Sequence, residues 1–165
     1  MPCPLRHNNV RKHTHEGPMA TMTYSSQGLA LTKQSESCRL HAYQDGGGVW
    51  TIGYGHTGHD VCAGLVWTAN QAGAALALNV QGAVAAVNRD VTVKLTQCQF
   101  DALVDFTYNC GVGALQSSTL LKMVNSGNFP GAVLEFGKWI RDHFGVIEPG
   151  LVIRRDAEAR MFRGV

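Results

Sequence analysis

The stretch Glu36-Ser-Cys-Arg-Leu-His-Ala-Tyr-Gln-Asp45-Gly-Gly-Gly-Val-Trp50-Thr51-Ile-Gly-Tyr-Gly-His56-Thr57 decides how the rest of the chain is read. Two short β-rich runs flank Asp45-Gly46, a dipeptide suited to a tight turn, and together they predict a hairpin. In the second run Trp50, Ile52 and Tyr54 alternate with Val49, Thr51 and Gly53. Thr51 therefore faces away from the aromatics. Upstream, Ser25 or Ser26 opens a helix carrying Leu29, Ala30 and Leu31, which runs to about Glu36 or Ser37. Glu36 thus falls at a helix C-terminus, where the macrodipole is negative and disfavours an ionised carboxylate.

That placement has chemical content. A carboxyl that keeps its proton is what a general acid requires at neutral pH. Asp45 lies nine positions further on, in a Gly-rich turn that lets backbone approach a ligand, and Thr51 follows on the hairpin strand. Two carboxyls in different environments with a hydroxyl nearby suit cleavage of a glycosidic bond. One protonates the leaving oxygen, and the other acts on water or on the sugar carbon. From spacing alone, a turn aspartate and a solvated helix-end glutamate remain open as the plainer reading.

Beyond the hairpin the pattern is helical. Thr68-Ala-Asn-Gln71 is a capping box that opens an Ala-rich helix to about Asn88, and Thr96-Gln-Cys-Gln99 is a second. The helix after Thr96 carries Phe100, Leu103, Val104 and Tyr108 at helical spacing. Further helices are expected around 117–126, 130–141 and 150–163, with Pro130 in a first turn. The expected class is α+β. A tail over residues 1–23 leads into a small lobe at 24–67, a connecting helix at 68–90 and a helical lobe at 91–165.

Composition narrows the function. The chain has 165 residues, 45% hydrophobic and 16% charged, which describes an ordered globular protein. A formal net charge of +2, carried by Arg6, Arg11, Lys12 and Glu16 near the start, lacks the clustered excess of a nucleic-acid binder. The uncharged run between Asp60 and Arg89 is broken by Thr68, Asn70, Gln71, Asn79, Gln81 and Asn88, so stable membrane insertion is not expected. The five cysteines (Cys3, Cys38, Cys62, Cys98, Cys110) form neither a CxxC nor a disulfide framework, and they suit free thiols, with Cys110 packed in the core. His56, His59, Asp60 and Cys62 crowd seven residues, but they follow a strand with no matching second pair. No metal and no cofactor is therefore expected. Arg154, Arg155 and Glu158 lie at helical spacing and suit an intrahelical salt-bridge set.

Glu36 to Asp45 and Trp50 to Thr57 resemble the catalytic segment of the phage-type lysozymes, endolysins of glycoside hydrolase family 24. The resemblance continues through Gln99-Phe-Asp-Ala-Leu-Val-Asp-Phe-Thr-Tyr-Asn-Cys-Gly-Val-Gly-Ala-Leu115, Ser118-Thr-Leu-Leu121 and Gly150-Leu-Val-Ile-Arg-Arg-Asp-Ala-Glu158. It implies a muramidase cutting the β-1,4 bond between N-acetylmuramic acid and N-acetylglucosamine, with a cleft between two lobes. Carried across, Glu36 resembles the general acid, Asp45 the second carboxylate and Thr51 the residue that helps place water. His56 is implied as structural support, and Tyr108 as a cleft aromatic or, equally, a core aromatic. The chain departs from the family at Ser37, where Gly is usual. It departs again at Asp142-His-Phe-Gly-Val-Ile-Glu148, which lacks the Gly-Gly-Lys often seen before Pro-Gly-Leu.

The resemblance implies peptidoglycan glycan strands as the partner, and a monomer is expected. Residues 1–23 carry charges and histidines in place of an apolar stretch, and the odd thiols suit a reducing compartment, so accumulation in the host cytoplasm is expected. A holin would then open the inner membrane and give access to the wall. A lytic transglycosylase and a wall-binding module without catalysis are the competing readings. Asp45 and Thr51 weigh against the first, and the intact pair Glu36 and Asp45 against the second.

Overall fold

The computed structural model describes residues 21–165, and the expected tail up to residue 20 lies outside the described residues. The last residues assigned to that tail are tied down. Met22 donates its N–H to Asn88 Oδ1 at 2.8 Å and accepts from Asn88 Nδ2 at 2.9 Å. Thr23 O accepts from Gln97 Nε2 at 2.9 Å.

Helix α1 spans Ser26–Ser35. Ser25 caps it by accepting from Gly28 N, and Glu36 closes it with its N–H on Thr32 O. The sheet follows, in the order β1 (Arg39–Gln44), β2 (Trp50–Gly53) and β3 (His56–Thr57), antiparallel throughout. The register pairs Tyr43 with Thr51 and Gln44 with Trp50, and a bulge between Arg39 and Tyr43 bends β1. Strand β2 stops one residue before the expected alternation ends. Gly53 takes φ 65°, and a Cβ there would stand 3.1 Å from Trp67. Only glycine accepts both conditions at little cost. The segment 65–67 covers the free edge of β1, with Trp67 N donating to Leu40 O at 2.8 Å.

The expected single connecting helix is two helices, α2 (Ala69–Asn79) and α3 (Gln81–Asp90). The capping box at Thr68 and Gln71 forms as expected. The break is at Val80, with φ −75° and ψ −10°. Helix α2 packs on β2 and β3, whereas α3 packs on α4 (Gln97–Cys110) and α5 (Val112–Ser117). Each half follows a different lobe, and Val80, 1% exposed, is buried at the bend.

Helix α4 forms the centre of the larger lobe, with residues 100–107 all buried. Against it lie α1, α3 and α8 (Pro149–Arg163). The helix expected at 117–126 begins later, as α6 (Thr119–Asn125), because Ser118 turns extended and caps it by accepting from Leu121 N. The preceding α5 was not expected. Helix α7 (Phe129–Phe136) carries Pro130 in its first turn but stops five residues before the expected 141, at Gly137. Residues 139–148 instead form a small antiparallel turn, with Arg141 bridged to Ile147. Phe106 meets Phe136 and Trp139 edge-on at 5.8 and 5.3 Å, and these rings anchor the core of the lobe.

Candidate active site

Glu36 is the hinge between α1 and the small lobe, one residue past the helix and three before β1. Glu36 is the C-terminal cap of the helix, and its carboxyl meets a cation. Arg154 Nη1 donates to Glu36 Oε1 at 2.6 Å. The Glu36 side chain keeps 29% of its surface open to solvent, while that of Arg154 keeps 5%. A ligand therefore reaches the carboxyl and not its partner.

Arg154 departs from the intrahelical arrangement expected of it. Glu158 does lie 3.6 Å from Arg154 Nε and 2.9 Å from Arg155 Nη2. The stronger bonds of Arg154 leave the helix, however. Its Nε donates to Asp105 Oδ2 at 2.9 Å and its Nη2 to Asp105 Oδ1 at 3.0 Å, a two-pronged contact with α4. Burial opposes the charge of Arg154, yet the bonds to Asp105 and Glu36 hold its pKa above the ordinary arginine value. Arg155 turns the other way, to Asn109 Oδ1 at 2.6 Å and Cys110 Sγ at 2.9 Å. Cys110 is half-buried, packed against the core as expected while its Sγ accepts from that guanidinium, and burial raises its thiol pKa.

Asp45 closes β1 and builds the turn. Its Oδ1 accepts from Gly47 N and Val49 N, both at 2.9 Å, and its own N–H donates to Val49 O at 3.0 Å. The carboxylate thereby organises the loop and remains exposed. Because Tyr43 pairs with Thr51 and side chains alternate, Asp45 and Thr51 share one face of the hairpin. Thr51 is 4% exposed, with its hydroxyl donating to Val49 O at 3.1 Å. Tyr108 is half-buried on α4. Burial, and after it the charge of Glu36, raises its pKa, and its ring packs on the core.

His56 sits with Nε2 3.2 Å from Asp60 Oδ2, its ring 5.1 Å from the Trp67 ring. Among the described residues no group of three or more His, Cys, Asp or Glu side chains is placed to hold a metal ion. Nor do any described cysteines pair: Cys38, Cys62, Cys98 and Cys110 are free. A shallow pocket of about 300 Å³ lies between β3 and α2, lined by His56, Trp67 and Gln71 among others, but it includes none of Glu36, Asp45 and Thr51.

Sequence reasoning missed the residues that hold Glu36. Nothing in the chain links Glu36 to Arg154, 118 positions away. A usable signal did exist in α4, where Asp101 and Asp105 interrupt an apolar run and are 1% and 0% exposed. Acids that deep need partners. Asp101 receives the N–H and the hydroxyl of Ser25 and the amide of Gln97, and Asp105 receives Thr32 Oγ1 at 2.8 Å besides Arg154.

A small hairpin lobe is joined through a bent helical connection to a helical lobe, with an accessible glutamate at the junction and an exposed aspartate in the hairpin turn. The profile of the family described as phage lysozyme matches residues 33–158. The endolysin of Acyrthosiphon pisum secondary endosymbiont phage 1 is 42% identical over 144 residues, covering 86% of this chain and 98% of that one. The endolysin of Bacillus phage B103 is 44% identical over 86% of this chain, which spans 54% of that longer relative. A crystal structure of a mutant P22 lysozyme superposes with a TM-score of 0.80 at 34% identity, covering 86% of this chain and 99% of that one. The chain belongs to the phage lysozyme family. It is a lysozyme, an endolysin that hydrolyses bacterial peptidoglycan.

Proposed function

We propose that Glu36 is the general acid of this lysozyme and Asp45 its second carboxylate, acting on the β-1,4 bond between N-acetylmuramic acid and N-acetylglucosamine. Glu36 gives its proton to the leaving glycosidic oxygen, while Asp45 acts on water or on the sugar carbon as positive charge develops on the ring. Thr51, on the face of the hairpin that carries Asp45, helps place the water. Tyr108 lines the sugar path beside Glu36. His56 supports the hairpin from outside the reacting groups, through Asp60 and Trp67. The single observation that carries this reading is the setting of Glu36: a partly open carboxyl at the junction of the lobes, held at 2.6 Å by a buried arginine.

Glu36→Gln tests it. Glutamine is nearly isosteric and can still accept from Arg154, but it cannot supply the acid proton. Clearing of purified cell walls is expected to fall by about 10²–10⁴-fold, the usual contribution of general acid catalysis, with the melting temperature little changed. Clearing at the wild-type rate would refute the assignment. Mass spectrometry of the digest separates the competing chemistry: reducing muramic ends support hydrolysis, and anhydro-muramic ends would mean transglycosylation.

The same reading extends to the route of release. The enzyme accumulates as a monomer in the host cytoplasm and reaches the wall when a holin opens the membrane. No helix of the described residues is long and apolar enough to cross a membrane. Expression without a membrane-opening partner should leave cells intact until a permeabilising agent is added, and lysis on expression alone would overturn this route.

A further inference from the structure

The two aspartates of α4 hold α1 from end to end. Asp101 takes the Ser25 N-cap at the start of α1, and Asp105 takes Thr32 in its second turn. Arg154 carries the same contact on to Glu36, beyond the last turn. The chain of bonds begins at Tyr24, whose hydroxyl lies 2.7 Å from Thr32 Oγ1. Asp105 is its only member with both oxygens committed to partners on two other helices, Thr32 on α1 and Arg154 on α8. A guanidinium is planar, so fixing Nε and Nη2 fixes the direction of Nη1. The bond to Glu36 is thus aimed by a residue that does not touch it.

The charges make the same point. Arg154 brings a guanidinium to 2.6 Å from the Glu36 carboxyl, and an acid catalyst must carry a proton there. Asp105, fully buried, is bonded to that guanidinium through both oxygens and offsets its charge. Glu36 then faces a nearly neutral pair in place of a cation.

We infer that Asp105 is a positioning residue for the catalytic glutamate, acting through Arg154: it sets the direction of the Nη1–H bond to Glu36 and sets a negative charge against the cation that Glu36 faces. The inference rests on Glu36 being the general acid. The other ionisable groups around the trio are accounted for. From α1's side comes Tyr24, and from α4 come Asp101, Tyr108 and Cys110. Tyr24 and Tyr108 are held protonated by burial, and so is Cys110. Asp101 is engaged with Ser25 and Gln97. On α8, Glu158 lies 2.9 Å from Arg155 and 3.6 Å from Arg154 Nε, burial favours its protonated form, and both it and Arg155 are unchanged in the variants below.

The test is the pH profile of wall clearing by Asp105→Asn, with the wall concentration varied at each pH. Asparagine keeps an acceptor for Thr32 and Arg154 but removes the charge. The alkaline limb is expected to move acidward by about one pH unit, as a buried charge one guanidinium away predicts. The acidic limb and the half-saturating wall concentration should stay in place, and Asp105→Glu, which restores the charge, should return the alkaline limb toward wild type. An unmoved limb in folded Asp105→Asn overturns the inference. Asp105→Ser is measured in parallel and should shift the same way. Failure of both neutral variants to fold would also overturn the inference, making Asp105 purely architectural. Glu36→Gln separates the two levels. If it clears walls normally, the acid assignment itself has failed. If it is inactive while the Asp105 variants keep the wild-type profile, only the positioning role has failed.

Discussion

Replacing Arg154 by glutamine is the sharpest test of the packing around Glu36. The side chain is 5% exposed and donates three hydrogen bonds, two to an aspartate whose side chain is 0% exposed and one to Glu36. A glutamine in its place cannot reproduce the fork or the charge, so Asp105 is left buried with only Thr32 as a donor. Breaking a buried pair from one side costs about 3–5 kcal/mol, because the remaining charge loses its compensation. For a chain of this size each kcal/mol moves the melting temperature by about 2–4 °C, so a drop of roughly 6–20 °C is expected by circular dichroism or calorimetry. An internal control lies on the same helix. Arg160 reaches Asp156 at 2.7 Å, but both side chains are more than half exposed. Arg160→Gln should cost less than about 1 kcal/mol, a shift under about 4 °C. Equal shifts for the two variants would refute the argument that burial, and not ion-pair distance, sets the cost.

Glu158 has both oxygens buried without a well-aligned hydrogen bond, and burial raises its pKa well above the usual glutamate value against the pull of Arg155. The folded state then holds a proton that the unfolded chain releases above about pH 4.3, so this group's contribution to stability falls as pH rises through that window. The melting temperature of Glu158→Gln relative to wild type should therefore be most favourable at pH 8 and decline toward pH 4.5; a difference that is flat with pH would refute this. Gly28→Ala drives a methyl into the edge of the Tyr24 ring and to 2.9 Å from Asp101 Cγ, and should cost about 1–3 kcal/mol by chemical denaturation. Gly82→Ala, on α3 with nothing within 4 Å of the added carbon, should instead gain about 0.5–1 kcal/mol.

Local chemistry wrote much of this fold plainly into the sequence. The capping boxes at Thr68 and Thr96 form with both reciprocal bonds, and the first helix ends at Glu36. The Asp45 turn forms because that carboxylate satisfies two loop N–H groups within four residues of itself. What failed to show were interruptions imposed by neighbours. The bend at Val80 occurs in a run that is helical by every local criterion, and it exists because the two halves pack on different lobes. Gly137 caps α7 before residues 139–148, which pair with one another in a turn ahead of α8.

The catalytic candidates divide in the same way. Glu36, Asp45 and Thr51 lie within sixteen consecutive residues, and their placement on a helix end, a turn and a strand follows from patterns of period 3.6 and 2 that any short window carries. The sequence by itself therefore determined which carboxyls are presented and on which elements. The tertiary structure decided what Glu36 meets. Arg154 and Asp105 come from helices 118 and 69 residues further along the chain, and their spacing within α8 and α4 suggests only contacts inside each helix. Ionic partners at that separation are chosen by burial. Once α4 and α8 pack together, two acids and a guanidinium are taken from water and must satisfy one another, and the geometry of that settlement fixes the environment of Glu36.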